Sequence, residues 1–300
     1  MRKLKSHLPP ILMVSPSLIL IGIFVYYLIF GSVKTSMTDT HELAQVTGKA
    51  EVSFVGLENY TALLTNPDFL HSLRNLLQYT VAFIGGTMIL GFLWAWLLDR
   101  RSKAEGVFRS LYLFPMAVSS VAAGVVWKWL LNSNVEGENV SGLNALFDLM
   151  GLGFLKNTWT FSQDWGILAI ALPAIWQMSG YIMALFLAGF RGIPDELREA
   201  ARVDGANEWK IYRHVLFPQL SPIALSALIV LAHMSLKIFD LVVAITGGYT
   251  FYPTKVPAVD MAFFLNGGDY ANASAVGVIL LLIILVMIVP YLVHVAKEDK

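Results

Sequence analysis

His233, Lys237 and Asp240 fall inside a stretch, residues 220–246, that otherwise carries no charge. Lys237 and Asp240 stand three apart, a spacing at which an ammonium and a carboxylate on one helix can pair and so lower the cost of leaving water. His233 lies one turn before Lys237 on the same face. Such a stripe fits a route through a membrane, along which it could also relay protons, or a static charge pair that holds two chains together. A second group, Trp176, Gln177, Ser179 and Tyr181, offers aromatic faces and an amide able to bridge hydroxyls, the means by which a sugar is held, with a helix break near Gly180. The same residues serve equally well as ordinary packing between membrane helices. Covalent chemistry finds no support: there is no cysteine, the six histidines show no metal-ligand spacing, and no G-x-x-x-x-G-K-[ST] loop is present to cradle a phosphate.

The elements that must position these residues are membrane helices. Of 300 residues 56% are hydrophobic and 14% charged, against about 25% charged in soluble domains, and the mean hydropathy is +0.63. A net charge of +0 removes the basic excess that nucleic acid requires. Six segments reach the roughly 20 apolar residues a spanning helix needs: about 11–33, 75–98, 108–131, 165–190, 220–246 and 273–295. "MRKLK" ahead of the first is followed by no small-x-small cleavage site and reads as the flank of an uncleaved helix. Basic residues set the orientation. Arg2, Lys3 and Lys5, the loops after the second and fourth segments, and Lys297 and Lys300 all fall on one side, which puts both termini in the cytoplasm. The long loops on the other side, 35–74 and 132–164, hold enough apolar residues to pack, and "GLNALFDLMGLGFL" reads as a short interfacial helix. Trp127, Lys128 and Trp129 suit an interfacial belt.

The most charged stretch, "ELREAARVDGANEWKIYRHVLFPQLSP", lies between the fourth and fifth segments. Pro194 suits a first helical position, and Asp195 and Glu196 complement the positive end of the helix dipole. Gly205 can end that helix in a left-handed turn, and Asn207 can cap a second one with Trp209, Tyr212 and Leu216 on one face. Pro218 and Pro222 bend the chain into the fifth segment. Physically this is either a docking helix, with Ala200, Ala201 and Ala206 allowing close approach, or a loop lying on the headgroups.

The residue pattern resembles the EAA motif of binding-protein-dependent ABC importer permeases. The match runs through Glu199, Ala200 and Ala201, then Asp204, Gly205 and Ala206, and later Pro218 and Pro222. "FVGLENY", "YLFPMAVSSVAAGVVWKWLLN" and "FDLVVAITGG" are similar to sugar permeases, and "WQMSGYIMALFLAGFRG" and "LAHMSLKIFD" resemble the glucose/mannose-type members. One departure is Gly247-Gly248-Tyr249, where the family commonly has Gly-Gly-Pro.

The resemblance implies an all-α membrane subunit of six spans with no catalytic residue and no cofactor of its own. A coupling helix within about 194–217 would dock on an ATPase dimer that binds ATP and magnesium. A second homologous permease would complete the path, and an extracytoplasmic sugar-binding protein would deliver the cargo. His233, Lys237, Asp240, Trp176, Gln177 and Tyr181 are the candidates for the path. Other cargo, a disaccharide or glycerol phosphate, and an ion-coupled secondary carrier are the alternatives.

Overall fold

The computed structural model describes residues 13–99, 104–137 and 139–298, with side chains to 289. Arg2, Lys3, Lys5, Arg100, Arg101, Lys103 and Lys300, and the Lys297 side chain, on which the expected orientation leans, lie outside the described residues, as does the start of the first expected span.

Among the described residues the chain is helical and has no β-strand. In order it forms α1 (Met13–Ser36), α2 (Leu43–Val46), α3 (Glu58–Thr65), α4 (Pro67–Asp99), α5 (Glu105–Ala117), α6 (Ser120–Leu130), α7 (Gly142–Leu149) and α8 (Gly166–Gly192). Then follow α9 (Asp195–Val203), α10 (Glu208–Gln219), α11 (Ser221–Leu236), α12 (Asp240–Thr246), α13 (Pro257–Asn266) and α14 (Tyr270–Glu298). Four helices, α1, α4, α8 and α14, are long and apolar enough to cross a bilayer, and the number rises to 6 if each of two bent pairs counts as one span.

The chain divides into two compact units, the described parts of Met1–Pro67 with Asp260–Leu282, and of Asp68–Val259 with Ile283–Lys300. In the first, the segment after α1 is tied down by buried polar groups. The Asn59 amide donates to the carbonyls of Ser36 (2.9 Å) and Thr38 (2.8 Å), and the Ala271 amide donates to the Thr40 carbonyl (2.9 Å).

The second unit is built on α8, 67% of whose most apolar stretch is buried. A central helix surrounded by others is apolar on all sides, which is why this segment shows little periodicity. Gly91 of α4 lies against Ile182, and the Thr80 hydroxyl of α4 donates to Ser235 of α11 at 3.0 Å. In the loop before α8, the buried Asn144 donates to the carbonyls of Asn132, Asn134 and Asn157, so this loop is packed around one amide.

Two of the expected spans are each two helices. Over 108–131, α5 and α6 meet at 97° across Val118–Ser119. Pro115, one turn before the break, removes a backbone donor, and Ser119 restarts the helix by accepting from the Ala122 amide. Over 220–246, α11 ends at Leu236 and α12 begins at Asp240. The opposite holds near Gly180, where the expected break is absent and α8 runs through. Gly180 serves close approach instead, since a Cβ there would overlap the Tyr112 carbonyl of α5. Gly180→Ala is therefore expected to lower stability by about 1–3 kcal/mol through overpacking, read as an earlier thermal transition in detergent.

Candidate functional site

The α9–α10 segment is assembled by local rules. The Gly205 N–H donates to the Arg202 carbonyl and the Ala206 N–H to the Ala201 carbonyl, each at 3.0 Å. With Gly205 at φ 79° this closes α9 in the six-to-one pattern that a left-handed residue permits. Asn207 caps α10 by accepting from the Lys210 amide at 2.9 Å. Pro194 is the residue ahead of α9, and Asp195 opens the helix. The chain bends by 64° at Leu220, between Pro218 and Pro222, as their positions predict. Tyr212 and Leu216 are buried as one face, but Trp209 is 64% exposed. The turn Tyr212–Leu216 is π-helical.

What fixes α9 to the helices beneath it is ionic. The Arg198 guanidinium donates to both carboxylate oxygens of Asp99, at 2.8 and 3.4 Å, and to the Phe190 carbonyl at 3.0 Å. The Tyr212 hydroxyl donates to Asp99 at 2.6 Å. The Asp99 side chain is 4% exposed and that of Arg198 15%. Burial alone would lower the Arg198 guanidinium, but the hydrogen bond and charge of Asp99 carry it above its ordinary value. A cavity of about 640 Å³ opens beside the pair, with Glu199, Arg202 and Glu208 on its walls. Arg202 pairs with Glu208 at 3.0 Å, and Arg191 with Glu105 at 2.6 Å.

Among the described residues nothing covers the other side of α9. Glu199, Ala200, Asp204, Gly205 and Pro218 are exposed, Ala201 and Ala206 half-buried. Val203, between them, is 87% exposed. The anchor that supports this face escaped sequence reasoning. Its one signal was an acid, Asp99, closing an apolar segment, and nothing local connects that acid to Arg198.

The expected path residues divide. Gln177 and Tyr181 of α8 share the walls of one cavity of about 600 Å³ with Lys237 and Asp240, and both helix breaks border it through Val118 and Phe239. Trp176 and His233 do not line it. Trp176 packs on Trp127, ring centroids 6.1 Å apart. Lys237 closes α11 and Asp240 opens α12, so the two are not on one helix, and they form no ion pair with each other within 4 Å. Gln177 donates to the Val118 carbonyl at 2.9 Å, satisfying an acceptor freed by the α5–α6 break. Gln177→Leu is expected to leave that carbonyl unpaired at about 1–3 kcal/mol, visible as lower thermal stability with the protein still inserted.

Comparison with known proteins shows the family. Residues 87–296 match the family model for the binding-protein-dependent transport system inner membrane component. A probable ABC transporter permease protein of Pyrococcus horikoshii is 39% identical over 292 residues, 97% of this chain and 96% of that one. The xylose/arabinose import permease of Haloferax volcanii is 34% identical over 255 residues, 84% of this chain and 78% of its own. A chain from a crystal structure of a bacterial ABC transporter involved in the import of the acidic polysaccharide alginate superposes with a TM-score of 0.77, at 18% identity, over 99% of this chain and 98% of that one. At that identity the likeness speaks for the fold alone.

Proposed function

We propose, for a chain that belongs to the family of binding-protein-dependent transport system inner membrane components, the role of permease in an ATP-driven importer of a monosaccharide such as glucose or mannose. The coarser part is direct: this is a multi-pass membrane subunit of the sugar ABC permease family, a transport component and not an enzyme. In our reading α5 with α6 makes one span and α11 with α12 another, which with α1, α4, α8 and α14 makes six, and both termini are cytoplasmic. A second homologous permease completes the pathway, an extracytoplasmic sugar-binding protein loads it, and an ATPase dimer holding ATP and magnesium drives it.

The observation that carries the reading is the buried anchor beneath a helix whose outer face no described residue covers. A nine-residue surface helix is marginal in water unless its neighbours hold it. The Asp99–Arg198 tie joins α9 to the end of α4, while Glu199, Ala200, Ala201, Asp204, Gly205, Ala206 and Pro218 form the surface offered to an ATPase. A push on that surface then reaches the membrane helices as a rigid displacement instead of being lost in a loop. ATP-driven closure of the ATPase dimer would move α9 and turn the cavity outward.

For the path, a volume of about 600 Å³ with Gln177, Tyr181, Lys237 and Asp240 on its walls has the size and the few convergent polar groups of a small-ligand site. His233 and Trp176 stand outside that cavity and act, in this reading, as its supporting layer. The relay an ion-coupled carrier would need is divided at the α11–α12 break, which favours the importer. The xylose/arabinose relative keeps other sugars open as cargo. Cargo is tested by ATP hydrolysis of the reconstituted complex with its binding protein, titrated with glucose, mannose, xylose, maltose and glycerol phosphate. Stimulation by glucose or mannose alone supports the reading. Stimulation by another sugar removes the substrate but keeps the importer, and transport that follows a proton gradient without ATP overturns both.

A further inference from the structure

We propose that the apolar groove between α4 and α10 is a binding site for one anionic phospholipid, its phosphate on Arg213 and an acyl chain laid over Phe92 and Phe217. The groove holds about 670 Å³, within the range of pockets that enclose a small ligand. Phe92 forms its floor and is itself fixed by edge-on rings, Phe186 at 5.5 Å and Phe217 at 5.7 Å. A floor clamped in this way is preformed and does not collapse when the groove is empty.

Charge complementarity selects the occupant. Arg213 is the one charged residue on the walls, it is exposed, and it forms no ion pair among the described residues. Lys210 and His214, also exposed, add to the basic character of the same turn, while the nearest acid in sequence, Glu208, is already engaged by Arg202. A guanidinium beside an otherwise apolar trough matches a phosphate attached to hydrocarbon, and matches neither a free phosphate nor a plain apolar helix. Depth agrees. Trp96 stands one turn before the end of α4 at Asp99, and Trp209 is 64% exposed on the groove wall, so two indoles flank the site at the level where a membrane helix meets headgroups. Tyr212 lines this groove with its ring while its hydroxyl binds Asp99, so a lipid in the groove would back the anchor of α9.

The proposal rests on the chain lying in a membrane and not on the coupling role, so its failure would leave the proposed function standing. The test is native mass spectrometry of the intact purified complex, titrated with dioleoylphosphatidylglycerol or dioleoylphosphatidylcholine. The expected result is one retained phosphatidylglycerol per copy of this chain, weakened about five-fold by Arg213→Ala, largely restored by Arg213→Lys, and blocked by Ala224→Trp, which fills the groove. Equal retention of the two lipids, unaffected by either Arg213→Ala or Ala224→Trp, would mean an unspecific lipid shell and overturn the proposal. So would no retained lipid together with a cross-link from position 217 to another subunit, which would assign the groove to that subunit.

Discussion

Asp99→Ala is expected to lower stability by about 3–5 kcal/mol, the cost of leaving the other half of a buried ion pair behind. The guanidinium of Arg198 would keep its charge and its bond to the Phe190 carbonyl but lose both carboxylate contacts, and the Tyr212 hydroxyl would lose its acceptor. Because the two residues join α9 to α4, cargo-stimulated ATP hydrolysis should fall along with stability. Two variants separate these effects. Asp99→Leu combined with Arg198→Leu removes both charges and should regain most of the thermal stability, since a buried pair contributes little beyond an apolar pair of similar volume. Transport per ATP should nonetheless stay low, because the directional tie is gone. If the double variant couples normally, the anchor is structural only.

Gly205→Pro should act in the opposite manner, with little loss of stability and a large loss of function. Proline holds φ near −65°, whereas Gly205 sits at +79°, and proline has no N–H to give to the Arg202 carbonyl. Nothing lies within 4 Å of a side chain built at Gly205, so the core is untouched and the protein should insert normally. The turn between α9 and α10 would open, and the face carrying Glu199 to Ala206 would change direction. We expect cargo transport to drop by more than about ten-fold, as a site displaced by an ångström or more commonly does, with a melting transition within a few degrees of the parent. Gly205→Ala is the control. It costs on the order of 1 kcal/mol in a left-handed position and keeps the N–H, so it should retain most activity. Glu199→Lys, which reverses a charge on the exposed face without touching the backbone, should resemble the proline variant. Normal coupling in both would remove α9 as the ATPase contact.

Much of this protein was legible along the chain, and the reason is range. Apolar segments of spanning length are a property of about 20 consecutive residues, and the bilayer leaves such a segment few choices other than helix. The turn at Gly205, the cap at Asn207 and the bend between Pro218 and Pro222 each depend on groups within a few positions, so residue type alone determined them. The EAA-like pattern Glu199-Ala200-Ala201 to Gly205 was likewise a local signal, and it pointed to the right family.

Tertiary contacts decided the rest. Asp99 is 99 positions from Arg198 and 113 from Tyr212, and nothing in composition or periodicity ties an acid at the end of one span to a guanidinium beyond another. The α5–α6 break left a faint trace in Pro115, but it is stable because Gln177, from a different helix, satisfies the Val118 carbonyl. By residue type Gln177 is a path candidate, and in the fold its amide also fastens the backbone at Val118. The α11–α12 break carries no glycine or proline, so Lys237 and Asp240 looked like neighbours on one helix until the fold separated them. A sequence determines where a helix can form and stop. Which freed carbonyl, which buried charge and which glycine can be tolerated depends on what arrives from elsewhere in the chain, and only the packed structure supplies that.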